Sequence, residues 1–184
     1  MKILGGKYKG RNFYMPAGIR PTQGILRAAI FDLIGHDLSG LSFLELFAGS
    51  GAVSLEAISR GAEKVVMVEY NDLSAKTIQE NCELLGIDLG GQYSLNHAEA
   101  FTTLKRLSED KMRFDLVFLD PPYGQKLAKK ALKLISTRDI LHPQSLVIIQ
   151  HEKKEKLEIP RDFNVLVQRH YGASNLIILQ RVVI

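Results

Sequence analysis

From Leu41 onward, apolar runs of strand length alternate with longer stretches whose apolar positions recur at helical spacing, and turn residues separate the two kinds. The pattern predicts a strand over Ser42–Phe47, a helix over Ala52–Arg60 with Val53, Leu55 and Ile58 among its apolar positions, and a second strand over Val65–Glu69. A helix over Leu73–Leu85 runs into Gly86, a residue suited to helix termination. A short strand at Tyr93–Leu95, a helix at Phe101–Leu107 and a strongly apolar strand at Phe114–Asp120 follow. After a Pro-Pro break come a helix at Leu127–Ile135 and a strand at Leu146–Gln150. Asn164–Val167 and Leu176–Val183 close the chain as strands with no clear helix between them. Ahead of this body, Ile25–Ile34 reads as a helix and the Gly-rich stretch Gly5–Tyr14 as a small hairpin.

Strand alternating with helix implies an α/β fold, a mostly parallel sheet covered on both faces. The last two runs, joined by a short turn near Gly172, fit an antiparallel hairpin at the sheet edge. With 184 residues the chain is expected to be one domain, a basic extension over residues 1–35 and a core over 41–184, leaving no room for a separate substrate domain. No run approaches the roughly 18 apolar residues of a membrane span, and the start lacks a secretory signal, so a cytoplasmic protein is expected. A single cysteine, Cys82, excludes an internal disulfide and reads as a small apolar side chain on a helix. The five histidines, His36, His97, His142, His151 and His170, show no metal-ligand spacing, and no metal is expected.

Charge changes this picture at one end. The net charge is only +4, but Lys2, Lys7, Lys9, Arg11, Arg20 and Arg27 all precede the first acid, Asp32, and the remainder holds 18 basic against 20 acidic residues. A basic segment interleaved with Tyr8, Phe13 and Tyr14 on a near-neutral body suggests contact with a polyanion, though a solvated basic strand pair would read the same way.

In an open parallel sheet, ligands bind beyond the carboxyl ends of the strands. Four such ends carry chemistry here. The first is Glu45-Leu46-Phe47-Ala48-Gly49-Ser50-Gly51, where Gly49 and Gly51 allow a tight turn and close approach of a ligand to backbone. No Lys-Ser/Thr follows, so it is not a P-loop; Ser54 stands where the dinucleotide fingerprint needs its third glycine; and no basic residue lies between Phe47 and Glu56 to meet a pyrophosphate. The second end is Glu69-Tyr70, 18 residues after Gly51, where one carboxylate can accept from both hydroxyls of a ribose or can cap the following helix. The third, Glu99-Ala100, offers an acceptor for an adenine amino group or a helix start.

The most telling segment is Asp120-Pro121-Pro122-Tyr123, directly after Leu116-Val117-Phe118-Leu119. Two successive prolines fix two φ angles and remove two N–H donors, so the loop presents carbonyls and a carboxylate without competing donors at Pro121 and Pro122. Asp120 and the Pro121 carbonyl can accept the two hydrogens of a planar exocyclic amine while Tyr123 stacks on its ring. Such an amine is a poor nucleophile because its lone pair is delocalised. Acceptors that orient both N–H bonds turn the lone pair toward an electrophile, and the carboxylate stabilises the charge that develops on nitrogen.

With these residues in view, the chain resembles the class I S-adenosylmethionine-dependent methyltransferases and, more closely, the RsmD family of bacterial 16S rRNA guanine-N2 methyltransferases. The likeness lies in Ile3-Leu4-Gly5-Gly6-Lys7-Tyr8-Lys9-Gly10-Arg11, in Arg20-Pro21-Thr22, in Phe47-Ala48-Gly49-Ser50-Gly51-Ala52 with Leu55-Glu56-Ala57-Ile58-Ser59-Arg60-Gly61-Ala62, and in the Asp-Pro-Pro-Tyr loop. It implies a Rossmann-like sheet of seven strands and S-adenosylmethionine as cofactor. The implied partner is 16S rRNA in an assembled or partly assembled small subunit, met by a monomer with no membrane association. By position, Glu45, Phe47, Gly49 and Gly51 would surround the methionine part, Glu69 with Tyr70 the ribose, and Glu99 with Ala100 the adenine region. Asp120, Pro121, Pro122 and Tyr123 would place the target base, and Lys7, Lys9, Arg11, Arg20 and Arg27 would face the RNA. After Arg20-Pro21-Thr22 the family commonly continues with an Asp and an Arg-x-x-Glu-like helix start, whereas this chain reads Gln23-Gly24-Ile25-Leu26-Arg27-Ala28.

Other functions fit less of the chain. An amine methyltransferase acting on DNA adenine or protein glutamine could use the same loop, but DNA enzymes usually add a recognition region for which little chain remains. A nicotinamide oxidoreductase leaves the Pro-Pro loop unused, and a non-enzymatic RNA-binding module does not need acids at three strand ends, where they would repel phosphate.

Overall fold

A computed structural model of the protein describes residues 1–16 and 24–182. Its elements, in chain order, are α1 (Gly24–Ile34), β1 (Ser42–Leu46), α2 (Ala52–Ser59), β2 (Lys64–Glu69), α3 (Asp72–Leu85), β3 (Tyr93–His97), α4 (Ala100–Glu109), β4 (Phe114–Leu119), α5 (Leu127–Thr137), β5 (Leu141–Glu152), β6 (Phe163–Tyr171) and β7 (Ser174–Arg181). Seven strands form one sheet in the order β3-β2-β1-β4-β5-β7-β6. The first five are parallel, and β7 runs antiparallel to both β5 and β6. This is the mostly parallel α/β sheet with an antiparallel edge hairpin that the alternation predicts, and its seven strands form the Rossmann-like sheet that the resemblance implies.

The inner strands β1, β2 and β4 are mostly apolar because both of their faces are covered, with Glu45 in β1 and Asp115 in β4 as charged interruptions. Successive side chains divide between two cores: Phe43, Val65, Met67, Leu116, Phe118 and Ile148 join α1, α2 and α3 on one face. Leu44, Leu46, Val66, Val68, Val117, Leu119, Val147 and Ile149 join α4 and α5 on the other. Cys82 packs inside the first core, and burial pushes its thiol up to about 12, so it stays protonated.

Two elements begin earlier than their apolar pattern suggests. β5 starts at Leu141 rather than Leu146, because Pro143 and the left-handed Gln144 (φ 64°) interrupt the run while Phe114 still pairs with Leu141. At the amino terminus the first arm of the hairpin is Met1–Ile3, not a segment starting at Gly5. Lys2 bridges Asn12, Phe13 N–H donates to Met1 O and Ile3 N–H to Arg11 O, and the turn fills the residues between.

This turn is clamped on the carboxyl end of α2. Lys7 N–H donates to Ser59 O at 2.6 Å and Tyr8 N–H to Ser59 Oγ at 2.9 Å, and a Cβ on Gly6 (φ 72°) would fall 1.8 Å from Ser59 O. The buried Glu56 carboxylate accepts from Leu4 N–H at 2.9 Å and Gly5 N–H at 2.7 Å. Arg60 and Arg27 also bind it, at 3.0 and 3.4 Å.

Candidate active site

At the carboxyl rim of the sheet, β1 turns sharply into α2. Phe47 (φ 61°), Gly49 (φ 57°) and Gly51 (φ 72°) all take left-handed backbone. For the two glycines this is unstrained; for a bulky Phe it costs about 1–3 kcal/mol, and such strain collects at functional sites. A side chain at Gly51 would also press on Ile78 at 3.2 Å. The turn is locked across to β2: Glu69 Oε2 accepts from Gly49 N–H at 2.7 Å and Oε1 from Asn71 N–H at 2.8 Å. Asn71, not Glu69, caps α3, through Ser74 N–H. Each Glu69 oxygen uses one of its two lone-pair sites in these contacts, so acceptor capacity remains for a diol.

Beyond β3, Glu99 is the N-cap of α4 and accepts from Thr102 N–H at 2.8 Å. The helix-start reading and a place at the site therefore coincide in this residue. Phe101, two residues further, meets Phe47 edge-on with ring centroids 6.1 Å apart, and the Lys130 ammonium lies 3.8 Å from its centroid. After β4, Pro121 is buried, and the Tyr123 hydroxyl hydrogen-bonds Ser174 Oγ.

One cavity of about 710 Å³ joins these strand ends. Phe47 and Gly49 line it from the first, Glu69 and Tyr70 from the second, Glu99 and Ala100 from the third, and Asp120 through Tyr123 from the fourth. Glu69, Glu99 and Asp120 give the wall three carboxylates, and among the described residues no Lys or Arg lines it. The lining also takes in residues that the chain pattern does not single out, among them Leu26 on α1, Phe101, Gln150 near the end of β5, and Tyr171 and Ser174 flanking the β6–β7 turn. Gln150 follows the same strand-end rule that picks out Asp120, and Phe101 directly follows Ala100. Leu26, Tyr171 and Ser174 reach the cavity through tertiary packing and have no local signal.

Glu45 and Gly51 do not line the cavity. The Gly51 backbone instead begins α2, and Glu45 is buried beneath the turn, accepting from Ser54 N–H at 2.9 Å. Desolvation pushes the Glu45 carboxyl up to about 8, with the Ser54 hydrogen bond opposing and the charges of Asp120 and Glu69 adding. Its folded value lies above the ordinary 4.5, so between these values the folded protein holds a proton that the unfolded chain releases. Stability therefore falls as pH rises through that window. Glu45→Gln, which keeps an acceptor for Ser54, is expected to flatten that dependence and to gain on the order of a few kcal/mol at pH 8 over the wild type, with little gain at pH 4. Urea midpoints at the two pH values check this; identical pH dependence in both proteins would contradict it.

The basic residues divide. Lys7, Lys9 and Arg11 are exposed, with Arg11 donating to Leu84 O at 2.9 Å and the Lys7 ammonium 5.2 Å from the Tyr8 ring centroid. Arg20 lies outside the described residues. Arg27 is not an RNA-facing residue: it is 1% exposed, paired with Glu56, and donates to Lys2 O at 2.6 Å. Its charge is consumed in fastening α1 and the amino-terminal turn to α2, and burial holds its pKa below the usual arginine value despite Glu56.

A family described as conserved hypothetical protein 95 matches residues 1–180. YlbH of Bacillus subtilis is 31% identical over 186 residues, covering 98% of this chain and 99% of its own. Ribosomal RNA small subunit methyltransferase D of Haemophilus influenzae is 29% identical, covering 94% of this chain and 89% of its own. The chain belongs to the RsmD family of methyltransferases. Among solved structures similar to this RsmD-family chain, the hypothetical protein TTHA0928 of Thermus thermophilus superposes with a TM-score of 0.81 at 30% identity, covering 97% of this chain and 98% of that one. The family match takes in the amino-terminal turn as well as the sheet, so the clamp on α2 lies within the matched region.

Proposed function

We propose that this RsmD-family protein methylates the exocyclic N2 amine of a guanine in 16S rRNA, with S-adenosylmethionine as donor. The observation that carries this reading is the single cavity running from the glycine turn to the Asp120-Pro121-Pro122 loop, whose two prolines offer no N–H donor, with three carboxylates and no described cation in its wall. A wall of that charge suits a sulfonium cofactor and disfavours a pyrophosphate.

The residues present fit the cofactor. Glu69, held by two backbone amides, would accept from the ribose hydroxyls; Glu99, Ala100 and Phe101 would bound the adenine; Phe47 and Gly49 would flank the methionine part. When bound, S-adenosylmethionine supplies an electrophilic methyl whose bond to sulfur breaks as the bond to nitrogen forms, the electron pair passing to sulfur. Asp120 and the Pro121 carbonyl accept the two N–H hydrogens and orient the nitrogen lone pair toward that methyl. The Asp120 carboxylate stabilises the cation formed on nitrogen, which then gives up a proton to that carboxylate or through it to water. Tyr123, its hydroxyl tied to Ser174, would stack on the guanine. Lys7, Lys9 and Arg11, with Arg20, would meet RNA phosphates, and the proposed substrate is an assembled or partly assembled small subunit met by a monomer.

The test is tritiated-methyl incorporation into small subunits from a strain lacking this gene, followed by nuclease digestion to nucleosides. Label in N2-methylguanosine at one position is expected. Label only in N6-methyladenosine, or none in RNA while DNA or protein is labelled, would overturn the reading.

A further inference from the structure

The buried side-chain polar atoms without a hydrogen-bond partner among the described residues belong to Arg27, Ser54, Ser74 and Gln150, and of these residues only Gln150 lines the cavity. Its Oε1 is the orphan, on a residue only 7% exposed. A buried acceptor left unpaired costs free energy, and native structures rarely keep one without a use.

Its position suggests that use. β4 and β5 run parallel with Leu119 opposite Ile149, so the next residues along, Asp120 and Gln150, stand side by side at the sheet rim. Across the other side, Gln150 pairs with Leu176 of β7, two residues past Ser174, which holds Tyr123. Gln150 thus sits between the acceptors proposed for the amine and the aromatic proposed for the ring. On the edge of guanine the N1–H donor adjoins the N2 amine, with the O6 acceptor beyond it.

We infer that Gln150 reads the target base: when the base enters, the Gln150 amide turns toward the cavity so that its unpaired Oε1 accepts the guanine N1–H while Asp120 and Pro121 hold the N2 amine, and its amide N–H is available to O6. This inference rests on the guanine-methylation reading and adds to it the means by which guanine is selected. A primary amide suits that edge because it carries an acceptor and a donor together. Enzymes that act on an extruded base read it through its Watson–Crick edge, and a site built to pair a donor rejects an analogue lacking it.

The probe is 2-aminopurine, which keeps the 2-amine but has neither N1–H nor O6; no orientation of the Gln150 amide satisfies both of its ends on that base. Ligated 16S RNA carrying either guanine or 2-aminopurine at the mapped position, reconstituted with small-subunit proteins, is methylated by wild type, Gln150→Leu and Gln150→Glu. The wild type is expected to prefer guanine by at least about tenfold. Gln150→Leu should lose about tenfold to a hundredfold on guanine with little change on 2-aminopurine, collapsing the preference, while cofactor affinity stays unchanged. Gln150→Glu, which retains an acceptor for N1–H, should keep the preference for guanine. A wild type that methylates both bases equally, or a Gln150→Leu variant that keeps the wild-type ratio, overturns the assignment and leaves guanine methylation standing. A wild type that labels no guanine overturns both.

Discussion

Asp120→Ala is expected to lower methyl transfer to RNA at least about a thousandfold while the dissociation constant for S-adenosylmethionine moves by less than about tenfold, or roughly 1.4 kcal/mol. The two quantities separate because different strands own them. Glu69, the candidate ribose acceptor, is held by Gly49 N–H and Asn71 N–H, both outside the Asp120 loop. Removing the Asp120 carboxylate deletes an amine acceptor and the anion that stabilises charge on nitrogen, both of which act in the transition state more than in the bound ground state. Single-turnover methylation with calorimetric titration of the cofactor checks both halves. Undiminished transfer would refute the amine-orienting role, and a large loss of cofactor affinity would move Asp120 into cofactor binding.

The second large effect is on stability. Glu56→Gln should cost about 3–5 kcal/mol, because it leaves the Arg27 guanidinium buried beside a neutral partner. The amide oxygen introduced there would still accept from Leu4 or Gly5, while the amide nitrogen would face the other N–H donor, so the loss combines the missing charge with one missing acceptor. Glu56→Gln combined with Arg27→Met should cost less than the sum of the two single changes, since the double variant contains no stranded cation at position 27. Urea unfolding of the four proteins measures this coupling; additive losses would mean that the pair is electrostatically idle.

The sheet is legible in the sequence because its inner strands are covered on both faces and must be mostly apolar, as Leu116–Leu119 is and as Phe43–Leu46 is apart from Glu45. The pattern gives β6 only as Asn164–Val167, although it extends to Tyr171, because an exposed edge strand alternates weakly: Gln168, Arg169 and His170 face solvent and give no strand signal. The candidate site is legible wherever chemistry falls immediately after a strand, as at Glu69 and Asp120. It is not legible at Arg27, whose meaning depends on Glu56, a residue 29 positions later that is itself buried. Local charge pattern cannot tell a cation facing solvent from one that has found a distant carboxylate. Glu45 misleads for a related reason: it stands beside the glycine turn in the chain, yet its side chain turns under the sheet rim to Ser54.

All eight residues of α2 are buried, its amino end is the Gly51 turn, and its carboxyl end carries the Ser59 clamp on Lys7 and Tyr8. At 1.5 Å per residue it is a rigid spacer of about 12 Å. The basic hook at one end and the bend above the cavity at the other are therefore held at a set separation, like the two jaws of a fixed gauge. Whatever docks against the hook is thereby indexed to the cavity by one piece of rod, with no joint between them to absorb slack.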